Sequence, residues 1–137
     1  MRQCNESPPG QLLLAIRQFN ARQWYECHET LEDLWIGEAG EVREFLQGTL
    51  QIAVALLHWR NGNYGGAVSV LTSGVKHLSH VSDACMWVDV AGLISDANRV
   101  REALEELGRE RMNELDPSYI PRLRTVSSPA GKDTTSV

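Results

Sequence analysis

Apolar residues recur along the chain at the spacing of amphipathic helices, and turn-forming residues divide the recurrences into five segments. In residues 11–20 and 24–36 the apolar positions follow the i, i+3, i+4, i+7 rule, which gathers them on one helical face. The second segment leaves Tyr25, His28 and Glu32 on one shoulder of that face. These patterns predict two amphipathic helices, with His28 half-buried at the edge of the core.

The third segment, residues 41–61, is apolar around most of its circumference, which is typical of a helix at the centre of a bundle. Residues 64–81 and 89–107 return to one-sided patterns and predict two further amphipathic helices. A narrow line along the third segment is polar or small at steps of three and four, and it consists of Glu44, Gln47, Gly48, Gln51, Ala55 and His58. The chain is therefore predicted to be an all-α protein, a single five-helix bundle.

An internal repeat appears when the chain is shifted by 40 residues, which superposes Trp24 on Tyr64. The same shift superposes the breaks at residues 21–23 and 61–63. The pattern resembles two helical hairpins of the tetratricopeptide type, although its period is longer than the usual ~34 residues. We expect a shared packing arrangement of two hairpins and not a peptide-binding superhelix.

The predicted domain covers residues 8–121. Residues 1–7 are polar and are predicted to be a flexible N-terminus, while residues 82–88 are predicted to be a linker between the fourth and fifth helices. Ser, Thr, Gly and Pro dominate the end of the chain, a composition that cannot bury enough apolar surface to fold. Residues 122–137 are therefore predicted to be a disordered C-terminal tail.

Charge and cysteine content narrow the classes of partner. The net charge is −5 and the Lys and Arg residues are scattered, so we expect no nucleic-acid partner. Cys4, Cys27 and Cys85 are odd in number and lack the spacing of a zinc finger, which predicts no disulfide framework and a reducing, cytoplasmic setting. Polar residues interrupt the third segment within the ~20 residues that a membrane span requires, so we expect no membrane partner.

Candidate chemistry concentrates where the second and third helices meet. His28 and Glu32 are four residues apart and therefore adjacent on one helix, and the short turn that follows predicts an antiparallel neighbour. We expect His28 to lie opposite Gln47 and Gln51. An imidazole beside a carboxylate could act as a general base or bind a divalent metal. The candidate functional cluster is His28, Glu29, Glu32, Gln47, Gln51 and His58, with His28 and Glu32 as candidate metal ligands.

The same cluster could instead be structural, because a buried histidine held by a carboxylate or an amide fixes the pairing of two helices. The sequence leaves both interpretations open. His77 and His80 are three residues apart, but their helix has a sufficient apolar face without them, so we expect both to be exposed and not to bind a metal. Cys27 occupies a core position and is predicted to be a small buried apolar residue.

A family resemblance adds to these patterns. The motifs are His-Glu-x-x-Glu at residues 28–32, Leu-Gln-Gly at 46–48, and Gly-Asn at 62–63 followed by Gly-Ala at 66–67. In this order they resemble the domain-of-unknown-function family 309. The resemblance covers about residues 12–78 and implies a small all-α protein, similar in fold to the helical domain that follows the catalytic domain of some hyaluronidases. It implies no established activity.

Two functions stay open at this point. The first is a non-enzymatic helical module that binds a protein or small-molecule ligand near His28, with a homodimer also left open. The second is a metal-dependent or His/Glu acid–base hydrolase, in which Gln47 or Gln51 would orient the substrate beside His28 and Glu32. A divalent metal is the one cofactor class that these residues suggest.

Overall fold

The computed structural model describes residues 2–126 of the 137-residue chain. Helices account for most of this part of the chain, and the predicted all-α, five-helix fold is confirmed. The helices are α1 (Gly10–Asn20), α2 (Trp24–Ile36), α3 (Gly40–Arg60), α4 (Tyr64–Leu78) and α5 (Val90–Leu107). Two single-turn 3₁₀ helices, Met112–Glu114 and Pro117–Tyr119, follow α5.

Local sequence signals set several of the helix ends. The Asn63 side chain accepts a hydrogen bond from Gly66 N at 2.9 Å, and the Asp89 side chain accepts one from Gly92 N at 2.9 Å. These caps satisfy N–H groups that the first turn of α4 and of α5 would otherwise leave without a partner. Gly108, with φ 79°, ends α5. Asn, Asp and Gly are residues that commonly occupy these positions, so the sequence itself predicts these three helix ends.

Helix α3 lies between α2 and α4 and packs against both, which explains why it is apolar on most sides. Two glycines bring α3 and α4 close together. A Cβ atom at Gly48 would lie 2.6 Å from Leu78 Cγ, and one at Gly74 would lie 2.8 Å from Ile52 Cδ1. Gly48 on α3 and Gly74 on α4 therefore allow a close approach of the two helices that a larger residue at either position would prevent.

The internal repeat corresponds to a repeated turn. Arg22, between α1 and α2, has φ 61°, and Gly62, between α3 and α4, has φ 79°. Four backbone hydrogen bonds of the first turn, 21→17, 22→19, 23→18 and 27→23 (N–H to C=O), recur 40 residues later as 61→57, 62→59, 63→58 and 67→63. The similarity to tetratricopeptide hairpins and to the hyaluronidase domain stays a prediction.

Residues 82–88, predicted to be a linker, contain a small antiparallel hairpin. Its strands are β1 (Ala84–Cys85) and β2 (Val88–Asp89). The two residues between the strands, Met86 and Trp87, have φ 45° and 71°, the left-handed conformation of a two-residue hairpin turn that usually selects Gly or Asn. Nothing in the local sequence announces such a turn. Met86 N donates a hydrogen bond to Cys4 O at 2.6 Å, so a contact from the N-terminus helps to hold it.

Chain segments on the outer side of both predicted domain boundaries contact the bundle, while the boundaries themselves stay predictions. Cys4, in the segment predicted to be flexible, is buried and forms a disulfide with Cys85. At the other end, residues 122–126 pack on the bundle: Leu123 is buried, and Val126 N donates to Trp87 O at 2.7 Å. The remainder of the predicted tail, residues 127–137, lies outside the described residues.

The expectation of no disulfide framework is wrong for Cys4 and Cys85, which are bonded to each other. Cys4 and Cys85 are separated by 81 residues, so no local sequence pattern predicts their pairing. The fold of the bundle brings the two segments together. Cys27 is the one free cysteine among residues 2–126, and it is buried as predicted. Within the same residues, no helix is both long enough and apolar enough to span a membrane.

Candidate functional site

The outward face of α2 carries most of the net charge of the protein. This helix contains Glu26, Glu29, Glu32 and Asp33 and has no Lys or Arg, so it contributes −4 to a chain whose net charge is −5. All four carboxylates are exposed to solvent. The negative charge of the protein is therefore concentrated on α2 and is not spread evenly over the surface.

Two large side chains stand exposed among these carboxylates. Tyr25 is 53% exposed and Ile36 is 67% exposed, the largest exposures among the big apolar residues of residues 2–126. Tyr25, Glu29, Glu32 and Ile36 follow one another at helical steps of three or four, so they form a continuous stripe. We call this stripe, with Glu26 and Asp33 beside it, the α2 face.

Glu29 sets the electrostatic environment of Tyr25. Acting first as a hydrogen-bond acceptor and then as a nearby negative charge, Glu29 raises the pKa of the Tyr25 phenol above its ordinary value, and Glu26 adds to the shift. Like any tyrosine phenol, this group is protonated at neutral pH and can donate a hydrogen bond there. The centroid of the His28 ring lies 6.3 Å from that of Tyr25, at the buried edge of the stripe.

The opposite side of α2 holds this stripe in place. Trp24, Cys27 and Leu31 are buried in the core, and the Cys27 thiol donates to Ala15 O at 3.3 Å across the α1–α2 contact. At the boundary with α3, the Arg43 guanidinium carbon lies 4.0 Å from the centroid of the Trp35 ring. This cation–π contact covers the indole, which is why Trp35 is half-buried and not part of the closed core.

The residues of the predicted cluster lie on two helices, α2 and α3. His28, Glu29 and Glu32 lie on α2, with His28 half-buried as predicted. Within residues 2–126, no hydrogen bond links His28 or Glu32 to Gln47 or Gln51. Gln47 is half-buried on α3.

The remaining members of that cluster face α4. A Cβ atom at Gly74 would lie 3.3 Å from Gln51 Cβ, so this glutamine lies in the α3–α4 contact. Its Oε1 is buried and has no hydrogen-bond partner among the described residues. His58 Nδ1 lies 3.2 Å from Nδ2 of Asn63, the residue that caps α4. His58 thus contacts the turn between α3 and α4, and a functional role for the six residues together stays a prediction.

The second histidine pair differs in part from its prediction. His80 is exposed, but His77 is half-buried and its Nδ1 lies 2.9 Å from Glu44 Oε1 on α3. The expectation that both histidines are exposed is therefore wrong for His77, because the close approach of α3 and α4 brings Glu44 within reach. Across residues 2–126 no three His, Cys, Asp or Glu side chains are grouped so that they could hold a metal ion.

Sequence reasoning did not single out Ile36. A signal was available, because a step of 100° per residue places Ile36 beside Tyr25 and Glu29 and away from the buried face of α2. An isoleucine at the last position of a helix, directly before Gly37, is easily mistaken for the end of the apolar pattern. Its exposure became evident only from the packing.

Comparison with known proteins shows which family this chain resembles. The model of the domain of unknown function 309 (DUF309) matches residues 12–70, which contain most of α1, all of α2 and α3, and the start of α4. The resemblance seen in the motifs is thereby confirmed, and the α2 face lies wholly within the DUF309 match.

One relative extends the similarity beyond the DUF309 segment. It is the uncharacterized protein YpuF of Bacillus subtilis (strain 168), which is 30% identical over 115 residues. The alignment covers 81% of this chain and 55% of YpuF, so the chain spans about half the length of that relative. Neither the family description nor the relative's name states an activity.

Proposed function

We propose that this protein is a binding module, and that its α2 face recognises a basic segment of a partner protein that also carries a large apolar side chain. The observation that carries this proposal is the stripe itself: two exposed large side chains, Tyr25 and Ile36, flank the carboxylates of Glu29 and Glu32 on a helix without Lys or Arg. The proposal thereby chooses the non-enzymatic of the two functions.

Charge complementarity defines the partner. Glu26, Glu29, Glu32 and Asp33 lie within one exposed surface, so a partner with Lys or Arg would gain attraction at close range and be steered toward it at long range. A nucleic acid or an anionic membrane would be repelled by the same charges. A basic protein segment is therefore the macromolecule that this surface favours.

The exposed apolar surface supplies the second requirement. Single exposed apolar residues are common on proteins, but Tyr25 and Ile36 occupy opposite ends of one stripe, eleven residues or about 16 Å apart along the helix. Aromatic residues such as Tyr25 often anchor protein interfaces because they bury much surface and lose little conformational entropy. A partner helix or strand of similar length could cover both ends at once.

A peptide selection would test this function. Random twelve-residue peptides displayed on phage are selected against the immobilised protein, and the enriched peptides are synthesised and measured by fluorescence anisotropy. We expect enrichment of sequences that combine Lys or Arg with Leu, Ile, Phe or Trp. Ile36→Ser and the double variant Glu29→Gln/Glu32→Gln should each weaken binding about tenfold or more, the loss expected for one central contact.

Matched controls come from elsewhere on the chain. Leu13→Ser changes another exposed apolar residue, 39% exposed on α1, and Glu102→Gln/Glu106→Gln removes two exposed carboxylates from α5. These variants should bind the selected peptides as the unaltered protein does. Equal binding by all variants, or selected peptides without basic residues, would rule out the α2 face as the proposed site.

No observation within residues 2–126 favours the alternative hydrolase, because His28 and Glu32 have no polar partner that would orient them for acid–base catalysis.

A cytoplasmic location stays a prediction. The disulfide between Cys4 and Cys85 removes the argument from unpaired cysteines on which it partly rested. A homodimer stays a prediction as well, and equilibrium sedimentation would test it.

A further inference from the structure

A basic depression of about 240 Å³ lies between the α1–α2 turn and the segment that follows α5. Three arginines line it, Arg22 from the turn and Arg122 and Arg124 from the later segment. The whole chain has only thirteen Lys and Arg residues against eighteen Asp and Glu. None of the residues that line the depression is acidic. Such a concentration of guanidinium groups on an acidic protein requires an explanation.

The C-terminal segment is held in a fixed register beside the turn. Asn20 Nδ2 donates to Leu123 O at 3.0 Å, and Leu123 N donates to Asn20 Oδ1 at 2.7 Å. Because Leu123 is buried and neighbouring side chains of an extended segment alternate in direction, Arg122 and Arg124 project away from the core. Both side chains thus flank the depression from one side, while Arg22 approaches from the turn.

The conformation of Arg22 supports a functional reason for its presence. Its φ of 61° is one that a residue with a Cβ atom adopts only at an energetic cost, and the equivalent position of the second turn is Gly62. A glycine would relieve this strain without altering the backbone. The chain instead has an arginine there, and its side chain lines the depression.

The nearby carboxylates leave most of this positive charge uncompensated. Arg124 Nη1 forms an ion pair with Asp96 Oδ2 at 2.8 Å, which still leaves its other guanidinium N–H groups available. Asp116, which precedes the lining residue Pro117 in the chain, accepts a hydrogen bond from Ser118 N at 2.9 Å. Within residues 2–126, neither Arg22 nor Arg122 takes part in an ion pair.

We propose that this depression binds a small phosphomonoester in its dianionic form. Guanidinium groups present paired N–H donors that match the oxygens of a phosphate, and three of them converging from two segments fit a group with several equivalent acceptors. Pro121 and Ile120 supply apolar lining beside the arginines, so an organic group attached to the phosphate would also find a contact surface. The site is independent of the partner surface on α2.

Isothermal titration calorimetry with phenyl phosphate at pH 7.5 and low salt would test the site. We expect saturable binding that Arg22→Gln and Arg122→Gln each weaken about tenfold, the loss of one charged hydrogen-bonding group. Lys76→Gln is the matched control, since it removes one positive charge from the depression that contains His77 and His80. Binding should also weaken below about pH 6, where the phosphate dianion takes up a proton and becomes a monoanion.

A second variant separates binding from folding. Arg22→Gly should leave the Tm unchanged or raise it, because glycine adopts the left-handed conformation freely, yet it should weaken phenyl phosphate binding as much as Arg22→Gln does. Absence of saturable binding, an equal loss in Lys76→Gln, or full binding by Arg22→Gly would each overturn the proposal. None of these outcomes depends on whether the α2 face binds a protein.

Discussion

The α1–α2 and α3–α4 turns of this protein have similar backbones and different side chains. The α1–α2 turn and the α3–α4 turn share four hydrogen bonds and a left-handed central residue. The second turn uses Gly62 and the capping residue Asn63, whereas the first has Arg22 and Gln23, and Gln23 makes no capping hydrogen bond. The packing of each helix pair therefore fixes the backbone of its turn, while the side chains within the turn can differ. Those of the α3–α4 turn stabilise the protein, and Arg22 of the α1–α2 turn belongs to the proposed binding site.

The largest effect should come from the core positions that the two helix pairs share. Leu31 and Leu71 are equivalent in the repeat and both are buried, so Leu31→Ala and Leu71→Ala should each lower the free energy of unfolding by about 2–5 kcal/mol. Urea denaturation followed by circular dichroism would measure both. Leu13→Ala, at an exposed position on α1, serves as the control and should change stability by less than about 0.5 kcal/mol. A large loss in only one leucine variant would show that the two pairs are not equivalent.

Removing the disulfide should be the next largest change. The Cys4–Cys85 bond joins chain segments 81 residues apart, outside both turns, so Cys4→Ser should cost about 2–4 kcal/mol by relaxing the constraint on the unfolded chain. Dithiothreitol should lower the unaltered protein to the stability of the variant and leave the variant unaffected. Under native conditions, amide hydrogen exchange in the two turns should be the same in Cys4→Ser as in the unaltered protein. Loss of protection in one turn alone would show that the two turns do not respond alike.

The capping residues should distinguish the turns directly. Asn63→Ala should cost about 1 kcal/mol, because the Gly66 N–H loses the acceptor that it now has at 2.9 Å. Gln23→Ala, at the equivalent position, should change the free energy of unfolding by only a few tenths of that, since no side-chain hydrogen bond is lost there. The two variants are compared by thermal and urea denaturation. Equal losses of stability would show that the capping hydrogen bond at Asn63, which Gln23 lacks, does not stabilise the protein.

Exchanging the central residues, Gly62→Arg in one turn and Arg22→Gly in the other, should change the free energy of unfolding in opposite directions. Gly62→Arg should destabilise the protein by roughly 1 kcal/mol, because the new Cβ must adopt φ 79°. Arg22→Gly should be neutral or slightly stabilising in the same measurement. The double exchange should lie near the sum of the two, since the turns are separate. A loss of stability in Arg22→Gly would indicate that the Arg22 side chain supports the fold.

The smallest effect at neutral pH concerns Cys27, which the repeat pairs with Ala67. Burial raises the pKa of the Cys27 thiol to about 12. An unfolded chain would ionise this thiol from about pH 9, so its contribution to stability is complete below that pH and declines as the pH rises further. Iodoacetamide at pH 8 should leave the native protein unmodified and label one thiol after unfolding. Cys27→Ala should abolish that labelling, and rapid labelling of the native protein would contradict the burial.

Prediction from sequence succeeded where the controlling interactions are local. The bounds of α2, the caps at Asn63 and Asp89, and the end of α5 at Gly108 all depend on residues within one or two helical turns. The exposed shoulder of α2 near His28 was also predictable, because helical periodicity alone fixes which residues share a face. The opposing Gln51 was not, since its neighbours depend on how α3 is rotated between two other helices.

The sequence by itself determined the five helices, the central place of α3 and the acidic stripe on α2, because hydrophobic periodicity and side-chain charge act over short chain distances. Only the tertiary structure decided the Cys4–Cys85 bond, the hairpin turn at Met86 and Trp87, and the meeting of Arg22 with Arg122 and Arg124. Each of these features joins segments that are distant in the chain or imposes a conformation that the local residues disfavour. Such features exist because the packed bundle brings the segments together and offsets their conformational cost.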